Sequence, residues 1–319
     1  MNRGKKWIIA AVVLLALGLF ICGAAYMILE FDFKKLSTGK YVTNTHDVKD
    51  DFQNISIVAD TEQIVFIPSD NGRCSVICYE EVNEPHNIRV EGSTLIIDKV
   101  NNHKRRIGIM MEFPKITVYL PKEAYEALSV DSDTGNVDIP KDITFESIHV
   151  MLSTGSVSCR ASATESVEIQ TSTGQIDVSC LTAKEIRLEA STGEIQVTDV
   201  ECAGDLSVSV STGRNSLENV SCASLVSTGS TGDILMTNVI TSEEFNIERS
   251  TGTVRFDACD AGTIYVRTDM GDISGTLLTD KVFITETDTG KTNVPKTITG
   301  EKCEIKTGAG DITIEIVYE

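Results

Sequence analysis

From residue 131 onward the chain alternates apolar and polar residues in short stretches that repeat. In the segment Ser172–Ala190, Ile176 and Val178 alternate with polar neighbours, and after a polar corner Ile186 and Leu188 do the same. This period of two is typical of a half-buried β-strand. The pattern predicts two strands of about five residues in each repeat.

A glycine marks each repeat at an interval of 19 or 20 residues. A corner residue with positive φ costs little only when it is glycine, so we interpret these residues as structural turn glycines. They are Gly135, Gly155, Gly174, Gly193, Gly213, Gly232, Gly252, Gly271, Gly290 and Gly310. A period near 20 residues is the signature of a repeat array in which each unit buries its apolar face on its neighbours.

Strands that run in the same direction in successive repeats must pair in parallel. The sequence therefore predicts an all-β fold, a right-handed parallel β-solenoid (β-helix) of about ten coils of 19–20 residues. Ile312, Ile314 and Ile316 lie in the last coil of the sequence. We expect them to form an exposed strand edge to which a partner adds a strand.

The N-terminal part has a different character. Residues 7–29 carry no charge and follow three cations in residues 1–6. A bilayer-spanning helix needs about 20 residues, so we predict one transmembrane helix with residues 1–6 in the cytoplasm and the remainder extracytoplasmic. A cleavable signal peptide is the alternative, because Gly23-Ala24-Ala25 permits cleavage.

Two further segments connect this helix to the solenoid. Residues 30–50 are polar and are interpreted as a tether. Residues 51–130 contain strand-like runs without the glycine interval. We predict that they form an antiparallel or irregular β cap that covers the first coil of a solenoid at 131–319, since an uncovered coil exposes unpaired strand edges.

The net negative charge of the chain disfavours some classes of binding partner. There are 28 Lys and Arg against 47 Asp and Glu, and without the three N-terminal cations the balance is 25 − 47 = −22. Such a surface repels nucleic acid and anionic lipid. The basic cluster of Lys99 and residues 103–106 is interpreted as a solvated hairpin tip, with contact to anionic wall polymer or lipid headgroups as the alternative.

The nine cysteines do not form a recognisable disulfide framework. Cys159 and Cys303 occupy inward strand positions and are predicted to be small core residues. Cys202 and Cys222 have the same offset from their turn glycines, so they are expected to stack as either a disulfide or a reduced pair. A zinc site is not predicted, because a paired C-x-x-C is absent and the four histidines are scattered.

Candidate catalytic chemistry is sparse. The sequence contains no nucleophile elbow, P-loop or H-E-x-x-H motif, so we predict no enzyme, no catalytic residues and no cofactor. Asp269, Asp272, Asp288 and Asp311 flank the turn glycines of the last three coils and are weak candidates for a calcium site, because their spacing matches no known loop.

The Ser-Thr-Gly-x-Ile-x-Val repeats, with the lead-in segments 92–97 and 116–121, resemble the bacterial putative-adhesin family of β-strand repeat proteins, a domain of unknown function. The resemblance covers residues 50 to 319 and implies a bacterial envelope protein without catalytic residues. Some members are associated with adhesion or envelope-stress signalling. This chain departs from the pattern in its many cysteines and at Asn215, which replaces the first inward aliphatic residue of its coil.

These observations predict a membrane-anchored extracytoplasmic β-solenoid at the cell membrane. We expect it to act as a non-enzymatic, adhesin-like binding or scaffold module of the cell envelope, with a protein or an envelope polymer as its partner. The alternative is a sensory or regulatory ectodomain for envelope-stress signalling through a membrane partner.

Overall fold

The computed structural model describes residues 3–28, 40–99 and 113–318. Residues 103–106 of the predicted basic cluster and residues 30–39 of the predicted tether lie outside the described residues. The elements are one helix, α1 (Arg3–Ile28), and the strands β1 (Tyr41–Val48), β2 (Asn54–Ala59), β3 (Gln63–Pro68), β4 (Cys74–Glu81), β5 (His86–Glu91), β6 (Thr94–Lys99), β7 (Lys115–Leu120), β8 (Ala124–Thr134), β9 (Val137–Ile139), β10 (Thr144–Thr154), β11 (Val157–Cys159), β12 (Ala163–Ala183), β13 (Glu185–Cys202), β14 (Asp205–Thr231), β15 (Ile234–Thr251), β16 (Val254–Cys259), β17 (Thr263–Met270), β18 (Ile273–Leu277), β19 (Lys281–Thr289), β20 (Thr292–Asn293), β21 (Glu301–Ala309) and β22 (Ile312–Ile316).

Successive coils pair in parallel, residue for residue. Ile176 in β12 lies beside Ile195 in β13, and Val178 lies beside Val197. All four side chains are buried and belong to one continuous core. Because each buried aliphatic side chain contributes about 1.5–3 kcal/mol, these inward columns are the main source of stability. The prediction of an all-β solenoid of about ten turns is confirmed.

The turn glycines stack directly on one another. All ten have positive φ. At Gly193, φ is +152° and an added Cβ would lie 1.7 Å from the carbonyl oxygen of Gly174 in the preceding coil. A side chain is therefore excluded at this corner both by the backbone conformation and by the close approach of the preceding coil.

A second corner repeats in the middle coils and was not predicted. Its residues adopt left-handed conformations with φ between 51° and 55°, and they are Cys180, Asp199, Asn219, Asn238 and Ala258. The Asn219 amide donates to Asp199 at 2.8 Å, and the Asn238 amide donates to Asn219 at 3.0 Å. Asn and Asp tolerate this conformation better than other residues that carry a side chain.

At the N-terminal end, parallel stacking begins before residue 131. Strands β2 and β3 lie between β8 and β9 on one side and β6 and β7 on the other, in parallel throughout. The antiparallel pairs here are β1 with β4, β4 with β7 and β5 with β6. Much of the predicted cap is therefore solenoid. Gly135 stacks on the carbonyl of Glu62, so the glycine interval does not extend into this coil.

At the C-terminal end, the coils stack out of sequence order. Strand β21 lies between β17 and β19, so that Ile305 has Val266 on one side and Thr285 on the other. The turn glycines follow the same order, because Gly310 stacks on Gly271 and Gly290 meets Gly310. The chain thus adds its last coil inside the stack, and β19 is the outermost strand.

This order covers part of the predicted partner edge. Ile312 is paired on both sides, with Ile273 and with Thr292. Ile314 and Ile316 pair with β18 on one side. The interval between glycines sets the length of a coil but not its place in the stack, so the sequence did not predict that β19 is the outermost strand.

The helix α1 covers most of the segment predicted to cross a membrane. Across residues 3–28, 40–99 and 113–318, no helix has the length and apolarity needed to span a bilayer. The predicted transmembrane helix at residues 7–29 is therefore not supported by the structure.

Candidate functional site

The outermost strand of the stack, β19, pairs with β21 on one side, and within residues 113–318 no strand pairs with its other side. Five apolar side chains are exposed at this end, with Ile298 at 93% and Tyr318 at 71% exposure. We call the free side of β19 together with these side chains the C-terminal edge; the five are Val282, Ile284, Ile298, Val317 and Tyr318.

The C-terminal edge is fixed to the rest of the solenoid by hydrogen bonds. The Tyr318 hydroxyl donates to the Asp280 carboxylate at 2.7 Å, and the backbone N–H of Val317 donates to the Leu277 carbonyl at 2.9 Å. The Thr297 hydroxyl donates to the carbonyl of Lys281. The exposed apolar groups are thus held near the start of β19.

Lys281 anchors the start of β19. Its ammonium group is buried, where it donates to the carbonyl of Ala261 at 2.6 Å and lies 2.8 Å from the Asp260 carboxylate. A buried cation needs such partners. The start of the edge strand is therefore bonded to the neighbouring coil.

The four predicted calcium residues do not converge. The Asp272 carboxylate accepts the backbone N–H of Asp311 at 2.8 Å, and the Asp311 carboxylate accepts the backbone N–H of Lys291 at 2.7 Å. These two side chains therefore cap neighbouring coils. Asp269 and Asp288 instead line a surface groove of about 460 Å³.

Two cations, Arg267 and Lys306, already line that groove beside its carboxylates. Lys306 lies 2.9 Å from Glu304 and 3.6 Å from Glu286, and Arg267 lies 3.6 Å from Asp269. Hydrogen bonds from Lys302 and Lys306 lower the pKa of Glu304 to about 2. In the part of the chain that the structure describes, no three of the predicted calcium ligands come within ligand distance of one another.

A different cluster is buried in the N-terminal coils. Cys78 and Glu80 lie on the same inward face of β4, and the turn after β4 returns His86 beside them. The Glu80 carboxylate accepts the backbone N–H of His86 at 2.6 Å and lies 2.5 Å from His86 Nδ1. Its other oxygen accepts the Asn44 amide at 2.6 Å.

A second buried carboxylate faces the same histidine. Glu62 Oε1 lies 2.7 Å from Lys99 Nζ and 3.6 Å from His86 Nε2. Glu62 Oε2 accepts the backbone N–H groups of Asp60 and Thr61 at 2.8 and 2.9 Å. Burial raises the pKa of Glu62, but the hydrogen bond and charge of Lys99, the charge of His86 and the Asp60 N–H outweigh it, so this pKa is lowered.

The thiol in this cluster is protonated at neutral pH. Burial raises the pKa of Cys78 to about 12, with smaller contributions from the charges of Glu80 and Glu62. We call Glu62, Cys78, Glu80, His86 and Lys99 the His86 cluster. A cavity of about 140 Å³ adjoins it, and carboxylates dominate its lining: Asp60, Glu62, Glu80, Glu81 and Glu84.

The other cysteines are free thiols as well. Cys159 and Cys303 are fully buried, in agreement with their predicted inward positions, and burial raises the pKa of each to about 12. Cys202 and Cys222 are buried and unlinked, so the structure has the reduced form of the predicted pair.

Sequence reasoning missed the His86 cluster. The histidines are scattered along the chain, but the strand–turn–strand connection from β4 to β5 brings one of them beside a cysteine and a carboxylate. The available signal was the alternation of Cys78 and Glu80 on one strand face, followed by a turn and a histidine.

Residues 52–209 match the family model described as Toastrack DUF4097. This confirms, for that part of the chain, the resemblance found in the sequence. No protein in the curated set matches the chain.

Several solved structures are similar to this chain at low sequence identity. A putative adhesin from Bacteroides fragilis NCTC 9343 has 16% identity over 86% of this chain and 97% of its own, with a TM-score of 0.44. A putative adhesin from Parabacteroides distasonis ATCC 8503 has 14% identity over 88% and 98%, with a TM-score of 0.45. One from Parabacteroides merdae ATCC 43184 has 11% identity over 88% and 98%, with a TM-score of 0.37. At these values the likenesses carry no functional argument.

Proposed function

We propose that the protein, whose residues 52–209 match the Toastrack DUF4097 family model, is a non-enzymatic, adhesin-like binding module of the cell envelope. Its partner is a protein segment that adds a strand to the C-terminal edge.

The observation that carries this proposal is the combination of a long one-sided strand and exposed apolar side chains at the C-terminal end of the stack. At the N-terminal end, antiparallel strands β4 and β5 lie against the outermost parallel strands, and in the described residues β1 and β5 also have one partner strand each. At the C-terminal end, the nine residues of β19 have a free side, and five apolar side chains are exposed around it. A long free edge with apolar neighbours is a template for strand addition.

The chemistry of this surface indicates the kind of partner. Backbone groups of β19 provide hydrogen bonds to an extended polypeptide, and Val282 and Ile284 offer apolar contacts on the outward face. The net charge of −19 favours a partner with basic residues and disfavours nucleic acid. The proposed partner is therefore an extended, basic protein segment with apolar side chains.

Attachment to the cell membrane is a separate part of the proposal and rests on sequence alone. Its support is the uncharged segment 7–29 with cations before it. The test is fractionation of cells that express the full chain with a C-terminal tag, followed by protease treatment of intact cells. A tag in the membrane fraction that external protease removes supports attachment and an extracytoplasmic solenoid; a soluble or protected tag contradicts them.

The binding function is tested by comparing two variants of the full chain. Val282→Lys/Ile284→Lys places charge on the free edge, whereas Leu235→Lys replaces an equally exposed apolar residue in the middle of the stack. Both are crosslinked in intact cells, and the captured proteins are identified by mass spectrometry. A partner retained by the wild type and Leu235→Lys but lost from the edge variant supports the proposal. Identical partners for all three contradict it.

The nature of that partner separates the proposal from its alternative. Surface or wall components support an adhesin-like module. An integral-membrane regulator that depends on the same edge supports the sensory ectodomain instead.

A further inference from the structure

We propose that Cys78, Glu80 and His86 bind a divalent transition-metal ion of the zinc class. This site lies in the N-terminal coils and is independent of the C-terminal edge, so it goes beyond the binding function proposed above.

The donor set and its spacing carry the first part of the argument. The three side chains each offer one ligand atom, and these atoms lie within 4.8 Å of one another in a fully buried setting. Sulfur, imidazole nitrogen and carboxylate oxygen are the ligands that Zn²⁺ takes at about 2.0–2.3 Å. Calcium and magnesium prefer oxygen ligands alone, so this set selects against them.

An independent observation is the state of His86 Nε2, the ring nitrogen that would not bind the metal. His86 is buried, and its Nε2 atom has no hydrogen-bond partner. This nitrogen points toward Glu62 Oε1, 3.6 Å away. When Nδ1 binds a metal ion, Nε2 carries the proton and donates toward Glu62. A carboxylate that orients a metal-binding histidine in this way is a common feature of zinc sites.

The surroundings hold that carboxylate in place. Glu62 is fixed by two backbone N–H groups and by Lys99. It is therefore a positioning residue, while the proposed ligands come from β4 and the start of β5. Binding would tie these two strands together at the end of the stack.

Charge also favours a cation. Glu80 lies on the same strand face as Cys78 and beside His86 Nδ1, while Lys99 already pairs with Glu62. A dication displaces the thiol proton, as metal binding does generally, and the resulting thiolate and the Glu80 carboxylate balance its charge. The adjoining cavity of about 140 Å³, with its carboxylate lining, offers an entry path and room for a water molecule as fourth ligand.

The test uses the full chain in detergent, stripped with a chelator and titrated with ZnCl₂ by calorimetry. Cys78→Ser and His86→Gln each remove one proposed ligand. Cys74→Ser is the matched control, because Cys74 is buried on the same face of β4 about 13 Å along the strand. We expect one equivalent of Zn²⁺ to bind to the wild type and to Cys74→Ser, and at least 100-fold weaker binding by the two ligand variants. Absence of binding to the wild type, or unchanged binding by Cys78→Ser, would overturn the proposal.

Cobalt(II) absorption tests the site in the wild type, so the proposal remains testable if the ligand variants do not fold. Cobalt(II) bound to a thiolate gives an intense near-ultraviolet charge-transfer band. We expect this band in the wild type and in Cys180→Ser, which lacks the exposed thiol of the solenoid. A wild-type protein that is folded by circular dichroism but shows no such band contradicts a site that contains Cys78.

Discussion

The guanidinium group of Arg249 occupies the space that a side chain on Gly229 would fill. These two residues are partners in adjacent strands of the stack. A Cβ added to Gly229 would lie 1.7 Å from Arg249 Nη1 and 2.0 Å from the carbonyl oxygen of Val210. Arg249 Nη1 donates to that same carbonyl at 2.8 Å. The glycine thus makes room for a cation inside the solenoid.

This arrangement explains the polar residue that departs from the repeat at Asn215. Asn215 and Ser227 are fully buried and hydrogen-bonded to each other at 3.0 Å. With its amide oxygen directed toward Arg249, Asn215 accepts a hydrogen bond from Nη2 at 2.7 Å. Burial lowers the pKa of Arg249 to about 10, and the charge of Asp233 opposes this shift. One coil therefore carries a polar group because its neighbour buries an arginine.

We predict that Gly229→Ala destabilises the solenoid. The new methyl group collides with both the guanidinium and a backbone carbonyl, and overpacking of this kind costs about 1–3 kcal/mol. The free energy of unfolding is measured by urea denaturation. Gly72→Ala is the control, because a Cβ at Gly72 meets nothing within 4 Å and leaves only the strain of a positive φ. A loss at Gly229 no larger than that at Gly72 would contradict this account of the arginine.

The stacking order at the C-terminal end predicts which engineered cysteines link. Arg267 is the partner of Lys306, and Lys306 is the partner of Glu286. Adjacent strands are about 4.8 Å apart, which a disulfide spans. In a Cys22→Ser/Cys180→Ser background, Arg267→Cys/Lys306→Cys should therefore oxidise readily, and Arg267→Cys/Glu286→Cys should not. Non-reducing electrophoresis distinguishes the pairs, and the opposite result would show that the coils stack in sequence order.

The second corner predicts a stabilising substitution. Ala258 has φ of 51°, a conformation that Asn tolerates better. Because the left-handed conformation costs about 1–2 kcal/mol for most residues but less for Asn, Ala258→Asn should raise the free energy of unfolding by about 1 kcal/mol. Asn219→Ala is the reverse change at the equivalent corner and should lower it, because it also removes two ladder hydrogen bonds. Thermal denaturation of both variants tests the pair, and shifts of the same sign would count against a shared corner.

A carboxylate beside a turn glycine gives a pH-dependent prediction. The backbone N–H of Thr253, and then its hydroxyl, donate to Asp233 and lower its pKa below 3.8. Since the folded pKa is depressed, this contribution to stability is present above pH 3.8 and is lost as the pH falls through the folded value. Thr253→Val removes the hydroxyl alone, so the Asp233 pKa should rise and still stay below 3.8. An NMR titration measures it, and an unchanged value would show that the hydroxyl has no role.

Much of the architecture follows from the sequence because each coil carries two separate signals, the alternation of apolar and polar residues and the turn glycine. Alternation such as Ile176 and Val178 specifies which face is buried, and a glycine such as Gly193 specifies where the chain turns. Both signals are local, so they can be recognised without knowledge of the stack. The buried positions of Cys159 and Cys303 follow for the same reason.

The remainder depends on contacts between distant segments. The free edge at β19 arises because β21 inserts beside β17, and no local pattern encodes that choice. The same holds for the first coils, where Glu62 takes the place under Gly135 that later coils give to a glycine. It also holds for the His86 cluster. The turn between β4 and β5 brings His86 beside Glu80, and the fold adds Glu62, which lies 18 positions before Glu80 and 24 before His86 in the sequence.

The central claim is that a partner docks on the C-terminal edge, and site-specific photo-crosslinking tests it most directly. A photoreactive amino acid is placed at position 284 on the edge strand or, as the control, at position 235 in the middle of the stack. Both full-length proteins are irradiated in intact cells. The account predicts one dominant protein adduct from position 284 that position 235 does not give. No adduct from position 284, or the same adducts from both positions, would contradict it.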